Sequence, residues 1–357
     1  MKKTNLQISE IAEVAGVSVS TVSIVLNGRG NELRISKATQ DKVKKIAMEL
    51  GYIPNMAARS LRSINTAPYY IFALFANIDI IRTVDGNYFS GLIAELYLSL
   101  KKQNINAEIV VHPYLPGKLY ECKDCFDTNR YSGIIVNSAT DKDVSFLIEN
   151  DFSIPIVIIN RETNGKYMNI SINDYEGGKT CAKIFAANGH KKAVIAGIKE
   201  GSLAMRMRKI GFLDGCRQEG VEILENDIIS YDDSIQSNGE SFITDILARP
   251  DHPTAVLIYS GDLVYDAVTA CKINRINIPE DIEIIVFGFD AAFQYCSPSL
   301  TSFSVSNHDI ANYAIELLLL AINNPSLSVS KQAYLSFHFR ESCRKPSWYD
   351  DLHIEGI

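Results

Sequence analysis

Long apolar runs are missing from this 357-residue sequence, and so is an apolar segment near its start. The most hydrophobic stretch begins at Tyr69, and Asn77 and Asp79 interrupt it before it reaches the roughly 18 apolar residues of a membrane span. The first ten residues carry charge but lack the apolar core of a secretory signal peptide. We therefore expect a cytoplasmic protein with no membrane partner.

Cysteine is also scarce, with seven residues in the whole chain. An odd number scattered over a long sequence does not suit a secreted disulfide framework. Only Cys122 and Cys125 have the C-x-x-C spacing, and they have neither a second ligand pair for zinc nor a thioredoxin-like setting. We therefore expect reduced structural thiols, no metal site and no cofactor.

Motifs that mark the common α/β enzymes are absent as well. The sequence has no G-x-x-x-x-G-K-[ST] phosphate loop, no G-x-G-x-x-G after a strand, no G-x-S-x-G elbow and no H-E-x-x-H pair. Its six histidines do not cluster. These absences argue against an enzyme, and we assign no catalytic residue.

Charge is divided unevenly along the chain. Residues 1–62 contain ten Lys and Arg against five Asp and Glu, a balance of +5, and the remainder contain 25 against 37, a balance of -12. A basic head on an acidic body indicates that only the head meets a polyanion such as nucleic acid.

The basic head is predicted to contain three short helices. Apolar residues at helical spacing from Ile8 to Ala15 predict the first, and Gly16 supplies the turn that ends it. Ser18 is placed to cap a second helix, from Val19 to Asn27, and a third is predicted from about Ser36 to Leu50. Two short helices joined by a tight glycine turn form a helix-turn-helix.

The second helix has an inward face of Val22, Val25 and Leu26. Its outward face carries mostly small side chains, which let a helix backbone enter the major groove of DNA closely. Candidate DNA-contacting residues on and after this helix are Ser18, Val19, Ser20, Thr21, Ser23, Ile24, Asn27, Arg29 and Arg34.

The body alternates β-branched runs with amphipathic helices of about a dozen residues, starting near Tyr69. This alternation predicts parallel sheets covered on both faces, and the number of strands predicts two similar halves. Ligands in such folds bind beyond the carboxyl ends of the strands, so the cleft between the halves is the expected site. Strand ends offer Asn137, Arg161, Asp262 and Asp290, and one helix start offers Tyr88 and Phe89.

The stretches ISEIAEVAGVSVSTVSIVLNG and YIPNMAARSLRS together resemble the LacI/GalR family of transcriptional regulators, and later motifs such as RMRKIGF and IPEDIEIIVFGFD extend the resemblance to about residue 345. The resemblance implies an all-α helix-turn-helix head with a hinge helix, followed by an α/β two-lobed domain of the type I periplasmic-binding-protein kind. It also implies three chain crossings between the lobes. The predicted bounds are 1–53 for the helix-turn-helix domain, 54–63 for the hinge helix, 64–345 for the two-lobed effector-binding and dimerisation domain, and 346–357 for the tail. Within the two-lobed domain, one lobe is predicted to comprise 69–162 and 301–325, and the other 163–300 and 326–345.

Family positions that read DNA match particular residues of this head. The resemblance implies that Val19, Ser20 and Ile24 face the major groove, that Leu61 is wedged into a minor-groove step, and that Ala58 lets two hinge helices pack together. Ile24 stands where arginine is frequent, so contact with a thymine methyl replaces bidentate guanine recognition. Arg29 and Arg34 suit phosphate contacts, and Asn55 and Arg62 complete the candidate set.

The resemblance likewise implies a set of effector-binding residues. Tyr88 and Phe89 match aromatic residues that flank a ring, and Arg208 matches the cleft arginine three residues before a Gly-Phe pair. An arginine and carboxylates above an aromatic wall suit a polyhydroxylated ligand, because each hydroxyl both donates and accepts. Asn173 and Asp174 reverse the order of the usual family pair. The implied set is Tyr88, Phe89, Asn137, Arg161, Asn173, Arg208, Asp262 and Asp290.

These observations predict a repressor that binds a pseudo-palindromic double-stranded operator under the control of a small molecule, most readily a carbohydrate. The tail has no leucine heptad, which favours a homodimer over a coiled-coil tetramer. Two alternatives stay open for its control: a partner protein, or a non-sugar metabolite such as a nucleobase.

Overall fold

A computed structural model describes residues 8–26, 30–31, 33–50, 68–82, 87–126, 130–198, 202–231, 238–259, 263–288 and 291–349. The predicted hinge helix, 54–63, lies outside these residues. So do eight candidate site residues, namely Asn27, Arg29, Asn55, Ala58, Leu61, Arg62, Asp262 and Asp290.

The described part of the head contains α1 (Ile8–Ala15), α2 (Val19–Leu26) and α3 (Lys37–Glu49). Its small core is formed by one apolar stripe from each helix, in which Ile11, Val22, Val25 and Val43 are each at most 1% exposed. The predicted inward face of the second helix therefore packs as the 3.6-residue period requires.

The body alternates strands and helices, as the sequence predicts. Its strands are β1 (Tyr69–Asn77), β2 (Asn106–Tyr114), β3 (Gly133–Asn137), β4 (Ile156–Ile159), β5 (Met168–Ile172), β6 (Ala193–Ile198), β7 (Ile228–Tyr231), β8 (Ala255–Ile258), β9 (Glu283–Phe287), β10 (Thr301–Val305), β11 (Ser330–Ala333) and β12 (Leu335–His338). Its α-helices are α4 (Ile78–Arg82), α5 (Asn87–Lys102), α6 (Asp141–Glu149), α7 (Asp174–Ala187), α8 (Leu203–Glu219), α9 (Asn238–Leu247), α10 (Val264–Ile273) and α11 (Asn307–Asn323). Among the residues that the structure describes, short 3₁₀ helices span Leu119–Cys125, Glu225–Asp227 and Ala291–Tyr295.

The strands form two six-stranded sheets, one in each lobe. The first sheet has the order β11-β5-β4-β3-β1-β2 and the second the order β12-β10-β9-β8-β6-β7. Every neighbouring pair is parallel except β10 and β12, which run antiparallel. Buried strands such as β3, β4 and β8 are continuous apolar runs, because helices cover both faces of a parallel sheet.

The chain crosses between the lobes three times, and each crossing is a single residue. Asn173 joins β5 to α7, Ser306 joins β10 to α11, and Tyr334 joins β11 to β12. These crossings bring the carboxyl ends of the first sheet and the start of α7 to one boundary between the lobes.

The predicted lobe bounds need correction at each crossing. Strand β5 pairs with β4 in the first sheet although it was predicted in the second lobe, and β11 pairs with β5 there too. Strand β10 pairs with β9 in the second sheet although it was predicted in the first lobe. Apolar periodicity identifies a strand, but the pairing partner that assigns it to a sheet is a tertiary contact.

Across the described ranges, no single helix combines the length and apolar character needed to cross a membrane. Only α1 and α2 taken together meet that test, and their axes differ by 106°.

Candidate functional site

The turn between α1 and α2 sets the geometry of the head. Gly16 adopts a positive φ of 63° after the last residue of α1, which glycine does without steric cost. Ser18 then caps α2, because its Oγ accepts a hydrogen bond from the Thr21 backbone N–H at 3.1 Å. The resulting angle of 106° between the helices lies in the range of DNA-binding helix-turn-helix units.

One face of α2 is left open by this packing. Val19 is 51% exposed and Ser20 is exposed, whereas Ser23 and Ile24 are half-buried. The apolar cluster of the head, over the part of the chain that the structure describes, does not include Ile24. Two serines and two branched aliphatic residues thus form a surface whose small side chains allow close approach to a groove.

The segment between α2 and α3 is organised around Gln40. Its Nε2 donates to Asn31 Oδ1 at 3.0 Å and to the Ile35 carbonyl at 2.8 Å, and the side chain is only 6% exposed. Arg34 lies exposed in this segment with a positive φ of 55°. The loop therefore presents an arginine near the entry to α3, a placement suited to a phosphate contact.

In the body, the carboxyl end of β3 meets the start of α5. Tyr88 Oη donates to Asn137 Oδ1 at 3.4 Å, and Ser138 Oγ donates to the same oxygen at 3.3 Å. Asn137 is 2% exposed, and its Nδ2 has no hydrogen-bond partner. Burial raises the pKa of Tyr88 to about 12, although the hydrogen bond to Asn137 opposes that rise, so the phenol is a neutral donor.

The facing wall belongs to the second lobe. Arg208 Nε donates to Asp174 Oδ1 at 2.8 Å, and the two side chains are 8% and 2% exposed. Asn160, at the end of β4 in the first lobe, donates from Nδ2 to Asp174 Oδ2 at 2.7 Å. The Arg208 guanidinium also lies over the ring of Phe287. Asp174 is therefore held from both lobes, because its two oxygens accept from different sides of the boundary.

Two glycines allow this wall to form. A Cβ at Gly178 of α7 would overlap the Arg208 carbonyl of α8, and a Cβ at Gly211 would overlap the Tyr175 carbonyl of α7. The two helices approach closely because neither position has a side chain. This contact fixes Arg208 beside Asp174.

The two walls face a common space. Burial is the main cause of the raised pKa of Tyr88, and the smaller effects of the Asp174 charge, which raises it, and the Arg208 charge, which lowers it, indicate that both charges lie near the phenol. Four groups with different hydrogen-bonding roles thus surround one region of the interlobe boundary: a phenol, an unpartnered amide, a carboxylate and a guanidinium. Such a region fits a ligand that both donates and accepts.

A cavity of about 440 Å³ opens beside this region and is lined by both lobes, a size suited to a small-molecule ligand. At its rim Asp141, the first residue of α6, pairs with Arg161 at 2.9 Å and with Arg206 of α8 at 3.5 Å. The second of these ion pairs joins the two lobes. Arg161 is 8% exposed and also donates to the Ala139 carbonyl, so its side chain is bound within the first lobe.

Not every predicted effector residue lies in this arrangement. Tyr88, Asn137 and Arg208 are brought together, whereas Phe89 is 7% exposed and packs in the apolar core. Asn173 caps α7, accepting from the Glu176 N–H at 3.2 Å, and the neighbouring Asp174 holds Arg208 instead. Asn160 was missed by the sequence prediction, and Asp174 was considered there as part of the reversed pair but not included in the candidate set. Each follows directly after a buried strand or a crossing, a position that favours a ligand site.

In the ranges that the structure describes, no group of three or more His, Cys, Asp or Glu residues is arranged to hold a metal ion.

Comparison with known families gives two matches. Residues 7–55 match the family described as bacterial regulatory proteins, lacI family. Residues 182–343 match the periplasmic binding protein-like domain. The first match covers α1 to α3, and the second covers most of the second lobe together with α11 and β11.

Similar proteins extend these matches over almost the whole chain. A probable HTH-type transcriptional repressor, ExuR of Bacillus subtilis, is 29% identical over 342 residues, which are 95% of this chain and 98% of that protein. The structure of a CelR–cellobiose complex has a TM-score of 0.64 at 19% identity and covers 94% of this chain and 99% of its own. The lac repressor dimer bound to operator and the anti-inducer ONPF has a TM-score of 0.63 at 18% identity, with 95% and 99% covered. These two structures share the fold described above.

Proposed function

Because this chain belongs to the LacI family of bacterial regulatory proteins, we propose that it is a transcriptional repressor whose homodimer binds a pseudo-palindromic operator and responds to a small molecule held between its lobes. The family resemblance and the fold class predicted from the sequence are confirmed. The prediction that this protein is not an enzyme is supported by its similarity to ExuR, which is named as a probable transcriptional repressor.

The proposed DNA contact is made by the open face of α2. Val19 and Ser20 would meet base edges at the N-terminal end of this helix, and Ile24 would meet a thymine methyl one turn later. Arg34 would add a phosphate contact that sets register without reading sequence. The likeness to a lac repressor dimer bound to operator supports this arrangement, with one head for each half-site.

The proposed effector site is the interlobe region around Asn137. One observation carries it: the Asn137 Nδ2 is buried and has no partner, and such a donor is costly unless a ligand or water accepts from it. A sugar hydroxyl can accept from this amide while donating to a neighbouring oxygen. The likeness to a cellobiose-bound regulator supports a carbohydrate as the effector class.

The test is titration calorimetry of the full chain with a panel of monosaccharides, disaccharides, sugar acids and nucleobases. We expect one carbohydrate to bind, and Asn137→Ala to weaken its binding about two- to tenfold, the value of one neutral hydrogen bond. Asn323→Ala is the matched control, because Asn323 is exposed and lies at the opposite end of α11 from Asn307, whose Nδ2 donates to the Tyr88 carbonyl.

Thermal unfolding of the ligand-free variants separates lost binding from lost folding. Binding of a nucleobase instead of a sugar would replace the proposed effector class. Binding that Asn137→Ala leaves unchanged would place the site elsewhere.

A further inference from the structure

The C-x-x-C pair is the one sequence motif that the repressor function leaves unused, and its placement is specific. Cys122 and Cys125 lie on the 3₁₀ helix Leu119–Cys125. In a 3₁₀ helix, side chains three residues apart eclipse each other, and a rise of about 2 Å per residue separates their Cα atoms by about 6 Å. A disulfide spans Cα separations of about 4.4–6.8 Å, so this backbone already meets the requirement.

Exposure distinguishes this pair from the four buried thiols of the chain. Cys122 and Cys125 are half-exposed, whereas Cys181, Cys216, Cys271 and Cys343 are at most 1% exposed. The two sulfurs of the pair rest on the apolar cluster of the first lobe with their outer side open to solvent. A soluble disulfide can therefore reach this pair and not the four buried thiols.

The charges around the two sulfurs differ. Arg130 Nη1 donates to Cys125 Sγ at 3.3 Å, which places a positive charge beside the sulfur that becomes negative during thiol–disulfide exchange. Partial burial raises the pKa of Cys122, and the nearby charges of Cys125, Glu121 and Asp143 raise it further. Cys125 is thus the better nucleophile, and Cys122 is suited to act second.

The 3₁₀ helix is held firmly at its start. Asp143 of α6 accepts from the Gly117 N–H at 3.1 Å and from the Leu119 N–H at 3.0 Å. Both oxygens of this buried carboxylate are therefore engaged by the segment that leads into the helix. The backbone that carries the thiols is ordered before any bond forms between them.

We propose that Cys122 and Cys125 are a reversible thiol–disulfide pair that exchanges with small disulfides of the glutathione class. The Cys125 thiolate attacks one sulfur of the small disulfide, forming a mixed disulfide and releasing one thiolate, which takes the proton that Cys125 gave up. The Cys122 sulfur then attacks Cys125 Sγ, its proton passing to the second departing thiolate. In sum, one protein dithiol and one small disulfide give one protein disulfide and two small thiols.

The test is intact-mass spectrometry of the full chain after equilibration with oxidised and reduced glutathione at several ratios, followed by peptide mapping. We expect the wild type to lose two hydrogen atoms, with the linkage mapped to Cys122 and Cys125, and to regain them as reduced glutathione is raised. Cys122→Ser is expected to stop at a mixed disulfide on Cys125, whereas Cys125→Ser is expected to react at least tenfold more slowly.

Cys296→Ser is the matched control, because Cys296 is the remaining half-exposed cysteine and lies in the other lobe. It is expected to leave the reaction unchanged. Thermal unfolding of each reduced variant checks that the fold is intact. A wild type that keeps both thiols free in oxidised glutathione, or a linkage mapped to another pair, would overturn the proposal.

Discussion

At the scale of single residues, Ile24 is the side chain that we propose reads a base of the operator. It is half-buried on the open face of α2 and lies outside the apolar cluster defined for the head. We predict that Ile24→Arg shifts the preferred base at one symmetric pair of operator positions toward G·C, because arginine donates two hydrogen bonds to guanine, worth roughly 1–3 kcal/mol of discrimination.

The measurement is selection of binding sites from a randomised duplex library with both proteins. Ser20→Ala is a useful comparison, since it removes a hydroxyl from the same face without adding charge. Identical preferred sites for the wild type and Ile24→Arg would show that Ile24 does not read DNA.

Glu283 gives a second prediction at this scale, on stability and pH. It is fully buried at the start of β9, and burial raises its pKa. The close contact of His190 Nε2 at 3.2 Å and the hydrogen bonds from Arg344, Asn188 and Cys343 outweigh burial and lower the pKa to about 2. A folded-state pKa below the ordinary value of about 4.5 means that the ionised carboxylate stabilises the fold above pH 4.5. That contribution, roughly 3 kcal/mol, is lost as the pH falls from about 4.5 to 2.

Urea unfolding at pH 7 and at intervals down to pH 3 measures this dependence. We expect Glu283→Gln to be less stable than the wild type at pH 7 and to lose less stability on acidification. Glu219→Gln serves as the control, because Glu219 is exposed at the end of α8. If the free energy of unfolding changed with pH in the same way in the wild type and in Glu283→Gln, the prediction would be contradicted.

The candidate site was only partly predictable residue by residue. Tyr88, Asn137 and Arg208 follow from strand ends and the family motif, because both signals are local in sequence. The choice between Asn173 and Asp174 depends on which side chain faces the start of α7 and which faces Arg208, and that is set by the packing of α8. Sequence order does not contain this information.

At the scale of elements, the contact between α7 and α8 determines where Arg208 lies. A Cβ at Gly211 would overlap the backbone carbonyl of Tyr175, which has no flexible end to move away. We predict that Gly211→Ala lowers the free energy of unfolding by about 1–3 kcal/mol, as overpacking does in a close contact. It should also weaken effector binding, because Arg208 lies one turn earlier on α8.

Denaturant unfolding and ligand titration measure the two effects. Gly165→Ala is the control, since Gly165 has a positive φ of 74° and open space around it, so only backbone strain changes there. Equal losses of unfolding free energy and of effector affinity in the two variants would mean that the contact between α7 and α8 does not contribute to either effect.

Elements themselves were predicted better than their assignment to lobes. The helices of the head have a clear apolar period, the buried strands are continuous apolar runs, and α3 begins after Ser36 as expected. Strands β5, β10 and β11 were placed in the wrong lobes because a strand of five residues or fewer carries no signal for its partner. Pairing is decided by contacts between segments far apart in the chain, such as Ser330 with Asn169.

At the scale of the whole molecule, the division of charge predicts strong dependence of operator binding on salt. The formal balance of +5 in residues 1–62 against -12 in the rest confines the attraction to the head. Each neutralised phosphate contributes about 0.9 to the slope of log affinity against log salt, so a dimer should show a slope of several units.

Fluorescence anisotropy of a labelled operator duplex at increasing salt measures this slope. Arg34→Ala should reduce it by roughly two units in a dimer, one from each head, if the exposed arginine contacts a phosphate. A slope near zero, or a preference for single strands, would contradict operator binding by this head.

The return of the chain to the first lobe at β11 also has a consequence for folding during synthesis. Strand β11 is the edge partner of β5, and it is separated from β5 by more than 150 residues of sequence. During synthesis the first sheet therefore cannot be completed until Ser330–Ala333 has left the ribosome. Until then the backbone N–H and C=O groups at the edge of β5 are unpaired and can bind to other chains. Truncation before residue 330 should thus give an aggregation-prone product in place of a separable lobe.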